Sequence, residues 1–471
     1  MKRRGSRSDV ARTGSNGPAH RRRRLLTIAM LLVTTLAAGQ VAGQPAALDE
    51  SSNRLPAASP APTAPAPTAP APTAPAPTAP ARLEAELRFR ASTGSHLRQL
   101  QAGQDYLVRG IFERIRLGAH FGGPGISGHV ELQSSGAFGD TATTDDGLSQ
   151  PLPVGLQQGY VHIDIAGIDG LDVELGRMAL EYGRGRHVGS YDFHDSGNAF
   201  DGLKLHYGVA EFLDIDGVAV QIRRNSAQPD EERTLVGTYL VGRPVDGLRA
   251  DVYLLYLRDG RVALRAELQT VGLRMEWRPT GWLVLETEAA VQFGDLQPQD
   301  YATPQDHLAS SAVATVEASG RLGVPLRLGL YGAQHSGDRD AADNQSAAWR
   351  PLYPSLDQVV GLLQIFAPSN LRQLGGHFGG DILASLAFDI DVRACASMAG
   401  APLPAFGGPL VPAGDGWRYS GTEVDARLTW RPLPHSELLL AAGAFAPARW
   451  LAVEVGSGPS RQFLLQWSSR F

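Results

Sequence analysis

Arg461-Gln-Phe-Leu-Leu-Gln-Trp-Ser-Ser-Arg-Phe471 decides how this chain is read: Phe463, Leu465, Trp467 and Phe471 alternate with Gln462, Gln466, Ser468 and Arg470. A two-residue period puts the aromatic and aliphatic groups on one face of a β-strand and the polar ones on the other. As the last strand of an open sheet it would leave an apolar edge ready to aggregate. In a closed barrel it pairs with the first strand and no edge remains. The expectation is therefore a barrel closed by pairing the last strand with the one near Leu83 to Arg90.

The rest of the chain from Arg82 repeats the pattern. Leu83, Ala85, Leu87 and Phe89 alternate with Glu84, Glu86, Arg88 and Arg90, and Ile115, Leu117, Ala119 and Phe121 with Arg114, Arg116 and His120. Val271/Leu273/Met275/Trp277 face away from Arg274/Glu276/Arg278, and Val424/Ala426/Leu428/Trp430 from Glu423/Asp425/Arg427. Each strand has one face suited to lipid and one carrying ionisable groups of both signs. At roughly ten residues per strand plus connections, residues 82–471 suit 16 to 18 antiparallel strands. Short connections such as Arg278-Pro-Thr-Gly281 and Arg431-Pro-Leu-Pro-His435 suit periplasmic turns. The longer polar stretches Phe138 to Pro153, Asn225 to Glu232, Asp295 to Asp306, Ser336 to Ser346 and Met398 to Gly416 suit extracellular loops.

The opposite end of the chain points to export. Arg21 to Arg24 precede the apolar run Leu25 to Ala38 and small residues up to Gly43, so residues 1–43 read as a signal peptide with a long basic leader. Residues 44–81 read as a disordered periplasmic linker rich in Pro, Ala and Thr. From Ala61 to Pro80 the unit Ala-Pro-Thr-Ala-Pro recurs. Prolines at that density leave extended polyproline-II, a spacer of about 60 Å. The expected location of residues 82–471 is the bacterial outer membrane, with lipid around the barrel. The C-terminal strand resembles the signal by which outer-membrane proteins are handed to the barrel insertion machinery, ending on Phe471, although Ser469 stands where that signal usually has a hydrophobic residue.

Composition agrees. Glycine is abundant, at 54 residues, and the basic residues are almost all arginine, lysine occurring at Lys2 and Lys204. Removing the leader takes the formal charge from −5 to about −13, which argues against nucleic acid as a partner. Any preference for anions must come from a local arrangement of charge. The lone Cys395 excludes an internal disulfide.

Leu175 to Tyr207, with Gly176-Arg177, Tyr182-Gly-Arg-Gly-Arg-His-Val-Gly189 and Phe200-Asp-Gly202, closely resembles the signature of the alginate export family of outer-membrane porins. Further matches run from His335 to Leu374, through Ser336-Gly-Asp-Arg-Asp-Ala-Ala-Asp343 and Pro351-Leu-Tyr-Pro354, and over Gly421-Thr-Glu-Val-Asp425. Met178, Gly185 and Phe193 depart from it, where the family usually has Gln, Asp and often Trp. The resemblance implies an 18-stranded monomeric barrel that passively exports an acidic polysaccharide, an alginate-like polyuronate, fed by periplasmic secretion components.

A polyuronate carries about one carboxylate per sugar, and arginine stays charged while its planar fork grips carboxylates bidentately. The candidate lining is Arg177, Arg184 and Arg186 with Lys204, then Arg116, Arg274, Arg327 and Arg427 on polar phases of other strands. Asp192, Asp195 and Asp201 lie close enough in sequence to pair with them. An uptake channel for small anions or acidic oligosaccharides is the alternative within transport. A barrel hydrolase is the alternative outside it, and no Gly-x-Ser-x-Gly, His-Glu-x-x-His or phosphate loop supports one, so no enzyme activity is expected. Asp338, Asp340 and Asp343 offer oxygens at short spacing for calcium but lack the full EF-hand pattern, and no other cofactor is expected.

Overall fold

A computed structural model describes residues 81–95, 107–138, 154–222, 233–261, 264–298, 303–340, 343–398, 403–404, 410–411, 417–455 and 458–471. The leader, the linker up to Pro80 and most of the loops expected near residues 139–153, 225–232 and 399–416 lie outside them.

The first strands are β1 (Arg82–Ser95), β2 (Leu107–Gly123), β3 (Ile126–Phe138), β4 (Gly155–Asp164), β5 (Leu171–Met178), β6 (Phe200–Ala210) and β7 (Leu213–Ile222). Then come β8 (Arg233–Val245), β9 (Leu248–Asp259), β10 (Leu264–Thr280), β11 (Leu283–Pro298), β12 (Gln305–Leu322), β13 (Val324–His335) and the two-residue β14 (Gln345–Ser346). The last are β15 (Leu371–Leu383), β16 (Leu386–Ser397), the small pair β17 (Leu403–Pro404) and β18 (Leu410–Val411), β19 (Arg418–Leu433), β20 (Ser436–Pro447) and β21 (Ser460–Arg470). Nineteen strands join one sheet; β14 merely runs parallel beside the end of β12, which leaves eighteen antiparallel staves.

The sheet closes as the terminal pattern requires. β21 pairs antiparallel with β1, from Glu86↔Arg470 to Ser95↔Arg461. Ala85 and Phe471 exchange N–H···O bonds of 3.1 and 2.9 Å, and Phe89 stacks on Trp467 with centroids 5.9 Å apart. Closure satisfies the backbone groups that an edge would leave bare.

Burial is inverted relative to a water-soluble protein. Leu328 and Leu374 are 62% and 69% exposed, while Arg114 and Arg274 are 1% and 2% exposed. The apolar phase faces outward and the charged phase faces a crowded interior, the arrangement of a barrel in lipid. Short hairpin turns lie at the end that carries both barrel termini, and the long connections lie at the other. The turn between β8 and β9 is tight enough to need glycine: Gly247 has φ +75°, and a Cβ there would meet the carbonyl oxygen of Arg278 at 2.6 Å.

The core sits inside the barrel and is made largely by two connections. Residues 179–199, between β5 and β6, and residues 347–370, between β14 and β15, both pack against the wall. They meet in a parallel bridge Val188↔Tyr353, with Tyr353 N–H donating to His187 O and Gly189 N–H to Tyr353 O, each at 2.8 Å. Trp349, Leu352, Leu356, Leu363, Ile365 and Phe366 are buried. The expectation of an extracellular loop therefore stops at Ser346, because the apolar residues that follow have nowhere but the lumen to bury themselves. Gly185 is explained at the junction: its φ is +66°, and a Cβ would press on Ser355 Oγ at 3.0 Å.

Candidate functional site: a charged lumen and its inward loop

Successive inward positions on β1 and β2 carry Arg88, Arg90, Arg114 and Arg116, with Arg88 directly opposite Arg114. Like charges face to face need compensation, and the inward loop supplies it. Arg88 donates to Asp192 O at 2.8 Å and His194 O at 3.1 Å, and pairs with Asp195 at 2.8 Å. Arg114 donates to the same carbonyls at 2.8 and 3.2 Å and is paired with Glu86. Arg116 bonds Asp192 at 2.7 Å and Gln133 at 2.7 Å. Arg90 lies 4.4 Å over the Phe193 ring and pairs with Asp195 at 3.2 Å. Burial raises the Asp192 pKa, but Arg114, Arg116 and Arg88 outweigh it and bring the carboxyl down to about 2.

The loop's other arm is held by the opposite sign. Arg186 sits between Glu286 at 2.7 Å and Glu288 at 3.0 Å on β11, and its side chain is 13% exposed. His187 lies 3.5 Å from Glu288 and packs on Tyr253 and Trp349, and burial holds its pKa below the usual imidazole value. Arg184 differs. It touches Glu286 through Nε at 3.1 Å, its side chain is 52% exposed, and among the described residues no hydrogen bond engages its terminal nitrogens. Arg274 on β10 spans Glu286 at 2.9 Å, Asp251 at 3.1 Å and Glu276 at 2.5 Å.

The remaining candidates are scattered. Lys204 faces inward, 3.7 Å from Glu174. Arg327 pairs with Asp389 at 3.2 Å and Arg427 with Asp391 at 3.3 Å, on the β13–β16–β19 side. Arg177 and Asp201 are cross-strand neighbours 2.6 Å apart, and they share the strand phase of Leu175 and Leu203, which are exposed. That phase points away from the lumen. The two-residue period of β5 sets Arg177 apart from Arg184 and Arg186, which belong to the inward loop.

Among the described residues, Asp338, Asp340 and Asp343 do not bring a carboxylate oxygen each within 4.8 Å of one another. Asp338 Oδ1 accepts the Asp340 N–H at 3.3 Å and Asp343 Oδ1 the Gln345 N–H at 2.8 Å, so these carboxylates cap their own turns. For the hydrolase alternative, Ser311 Oγ lies 2.9 Å from His335 Nδ1, but both residues are buried, and among the described residues His335 Nε2 has no hydrogen-bond partner and so no carboxylate behind it. Sequence reading missed Arg88, Arg90 and Arg114 as site residues. Their signal is Arg-x-Arg on two neighbouring strands, Arg88-Phe-Arg90 and Arg114-Ile-Arg116.

A closed eighteen-stranded barrel with lipid-suited outer and charged inner faces, narrowed by an inward loop, defines a porin-type channel. The profile of the alginate export family matches residues 128–461, and the chain belongs to that family of outer-membrane barrels. No curated protein matches. Solved structures with the same fold include OccAB1 of Acinetobacter baumannii, at TM-score 0.57 and 11% identity, over 83% of this chain and 96% of that one. OpdK of Pseudomonas aeruginosa, solved with vanillate, gives TM-score 0.55 and 14% identity over 83% and 98%. OccK5 (OpdH) of the same organism gives 0.54 and 14% over 83% and 98%.

Proposed function

We propose that the barrel passively exports an anionic polysaccharide of the polyuronate type across the outer membrane. The observation that carries this reading is Arg184: a guanidinium displayed on the inward loop, fixed through one nitrogen and open at its outer edge. A carboxylate can take that edge bidentately and leave again, which is what conduction requires of a binding group. The β1–β2 arginines then serve chiefly to hold the loop, and the wall carboxylates keep any one sugar from binding too tightly. In this reading secretion components on the periplasmic side deliver the polymer, and Phe471 marks the chain for membrane assembly.

One feature favours a second reading, uptake of small anions or acidic oligosaccharides: Trp349, Leu363 and Phe366 pack inside the barrel and take space a polymer needs. The test is current block of the purified full-length barrel in planar bilayers. Export of a polyuronate predicts that soluble uronate oligomers block more strongly than neutral glucans of equal length, that longer ones block longer, and that added salt weakens the block. Equal block by neutral and acidic oligomers refutes a charge-reading lumen. Block by monomeric carboxylates alone favours the second reading.

A further inference from the structure

We propose that Glu84, His120 and His129 form a binding site for one divalent transition-metal ion of zinc's class in the lumen wall. His120 on β2 and His129 on β3 are direct cross-strand partners near the Gly123–Ile126 turn. Their Nδ1 atoms lie 3.2 Å apart and their rings 4.1 Å apart. From β1, Glu84 reaches to 3.3 Å from His120 Nε2 and 4.0 Å from His129 Nε2. One ligand atom from each of the three lies within 4.8 Å of those of the other two, and among the described residues this is the one group of His, Cys, Asp or Glu that converges so.

An ion takes one nitrogen of each ring, so the spacings to compare are those from the Glu84 carboxylate to the two Nε2 atoms, 3.3 and 4.0 Å, while the 3.2 Å approach of the Nδ1 atoms shows only that the rings lie side by side. In a tetrahedral site with metal bonds near 2.0–2.1 Å, ligand atoms stand roughly 3.3 Å apart. Two imidazoles and one carboxylate, with a fourth position left to solvent, form a donor set for zinc and its neighbours and a poor one for calcium or magnesium. Room for it is built into the sheet: Gly118 stands opposite Glu84, and a Cβ there would lie 2.7 Å from Glu84 Cγ. A cavity of about 430 Å³ at the barrel end that carries the termini borders the site on its Glu84 side, lined by Glu84, Gly118 and Glu131 together with Arg82, Arg116 and Arg470. Two arginines share the inward phase nearby: Arg82, the exposed cross-strand partner of His120, and Arg116, which is engaged by Asp192 and Gln133; Tyr160 packs on the His129 ring at 5.6 Å.

The experiment titrates Zn²⁺ into the full-length barrel, folded in detergent and stripped with chelator, by calorimetry. The expected result is a saturable isotherm of one ion per barrel, unchanged by excess Ca²⁺. His120→Asn, His129→Asn and Glu84→Gln should each weaken it more than ~10-fold, and His377→Asn, on the far wall, should leave it alone. Co²⁺ bound to the wild type should show the intense visible bands of a four-coordinate site. Because the wild-type measurements do not depend on variants folding, the absence of a one-to-one isotherm or of those bands overturns the proposal, as does equally tight binding by His129→Asn.

Discussion

Arg114→Met tests whether the β1–β2 arginines anchor the inward loop. The replacement fills much of the volume and removes the charge. Two costs follow. Glu86, whose side chain is 11% exposed, keeps among the described residues the Nε of Arg470 at 3.2 Å. Stranding a buried carboxylate in this way costs about 3 kcal/mol, the lower end of the usual range, because Arg470 is itself solvent-exposed. The loop loses Arg114's bonds to Asp192 and His194, while Arg88 still serves the same two carbonyls. With hydrogen bonds to a charged donor contributing about 1.5–3 kcal/mol, a net loss near 2 kcal/mol is expected, or roughly 30-fold in the ratio of anchored to released loop. Single-channel recording should show larger and noisier currents, and urea unfolding a lower midpoint. Adding Glu86→Gln removes the stranded charge and should restore much of the midpoint without quieting the current. A variant with wild-type current and wild-type midpoint would refute the assignment of Arg114 as an anchor.

The same anchor gives a pH dependence. Asp192 is held at about 2 against an ordinary 3.8, so its contribution is complete above about pH 4 and is lost as pH falls toward 2; current noise should rise over that window and not between pH 5 and 8. Arg184→Glu should shift reversal potentials in a salt gradient toward cations with little change in unfolding, since the native side chain is half exposed. Arg186→Glu should instead lower stability by several kcal/mol, because it places a third carboxylate between Glu286 and Glu288, and matching unfolding curves for the two variants would contradict this. Gly361→Ala should severely impair folding: φ is +95° and the new Cβ would fall 1.6 Å from an Arg393 terminal nitrogen, so normal yields of heat-modifiable barrel would count against the packing around Arg393.

What could be read from the sequence was what neighbours along the chain decide. Alternation at Leu83 to Arg90 and Arg461 to Phe471 is a property of each strand alone, and together with the leader that marks the chain for export it leads to lipid outside, charge inside, and the two ends paired. Turn residues at Arg278–Gly281 and Arg431–His435 are equally local, and so the short and long ends of the barrel could be told apart. Residues 347–370 were beyond such reasoning. Their apolar groups follow neither strand nor helix period, since they pack against walls and a second loop far away in sequence, and only closure of the barrel creates the surface that buries them. The arginines show the same division. That they are arginines, on inward phases or in a loop between β5 and β6, is written in the chain; which are locked and which are open is not. Arg186 meets Glu286 and Glu288 a hundred residues on, Arg88 faces Arg114 through strand register, and Arg184 touches Glu286 through Nε alone. Electrostatic energy depends on distance through space, and those distances exist only once the sheet has closed around its loop.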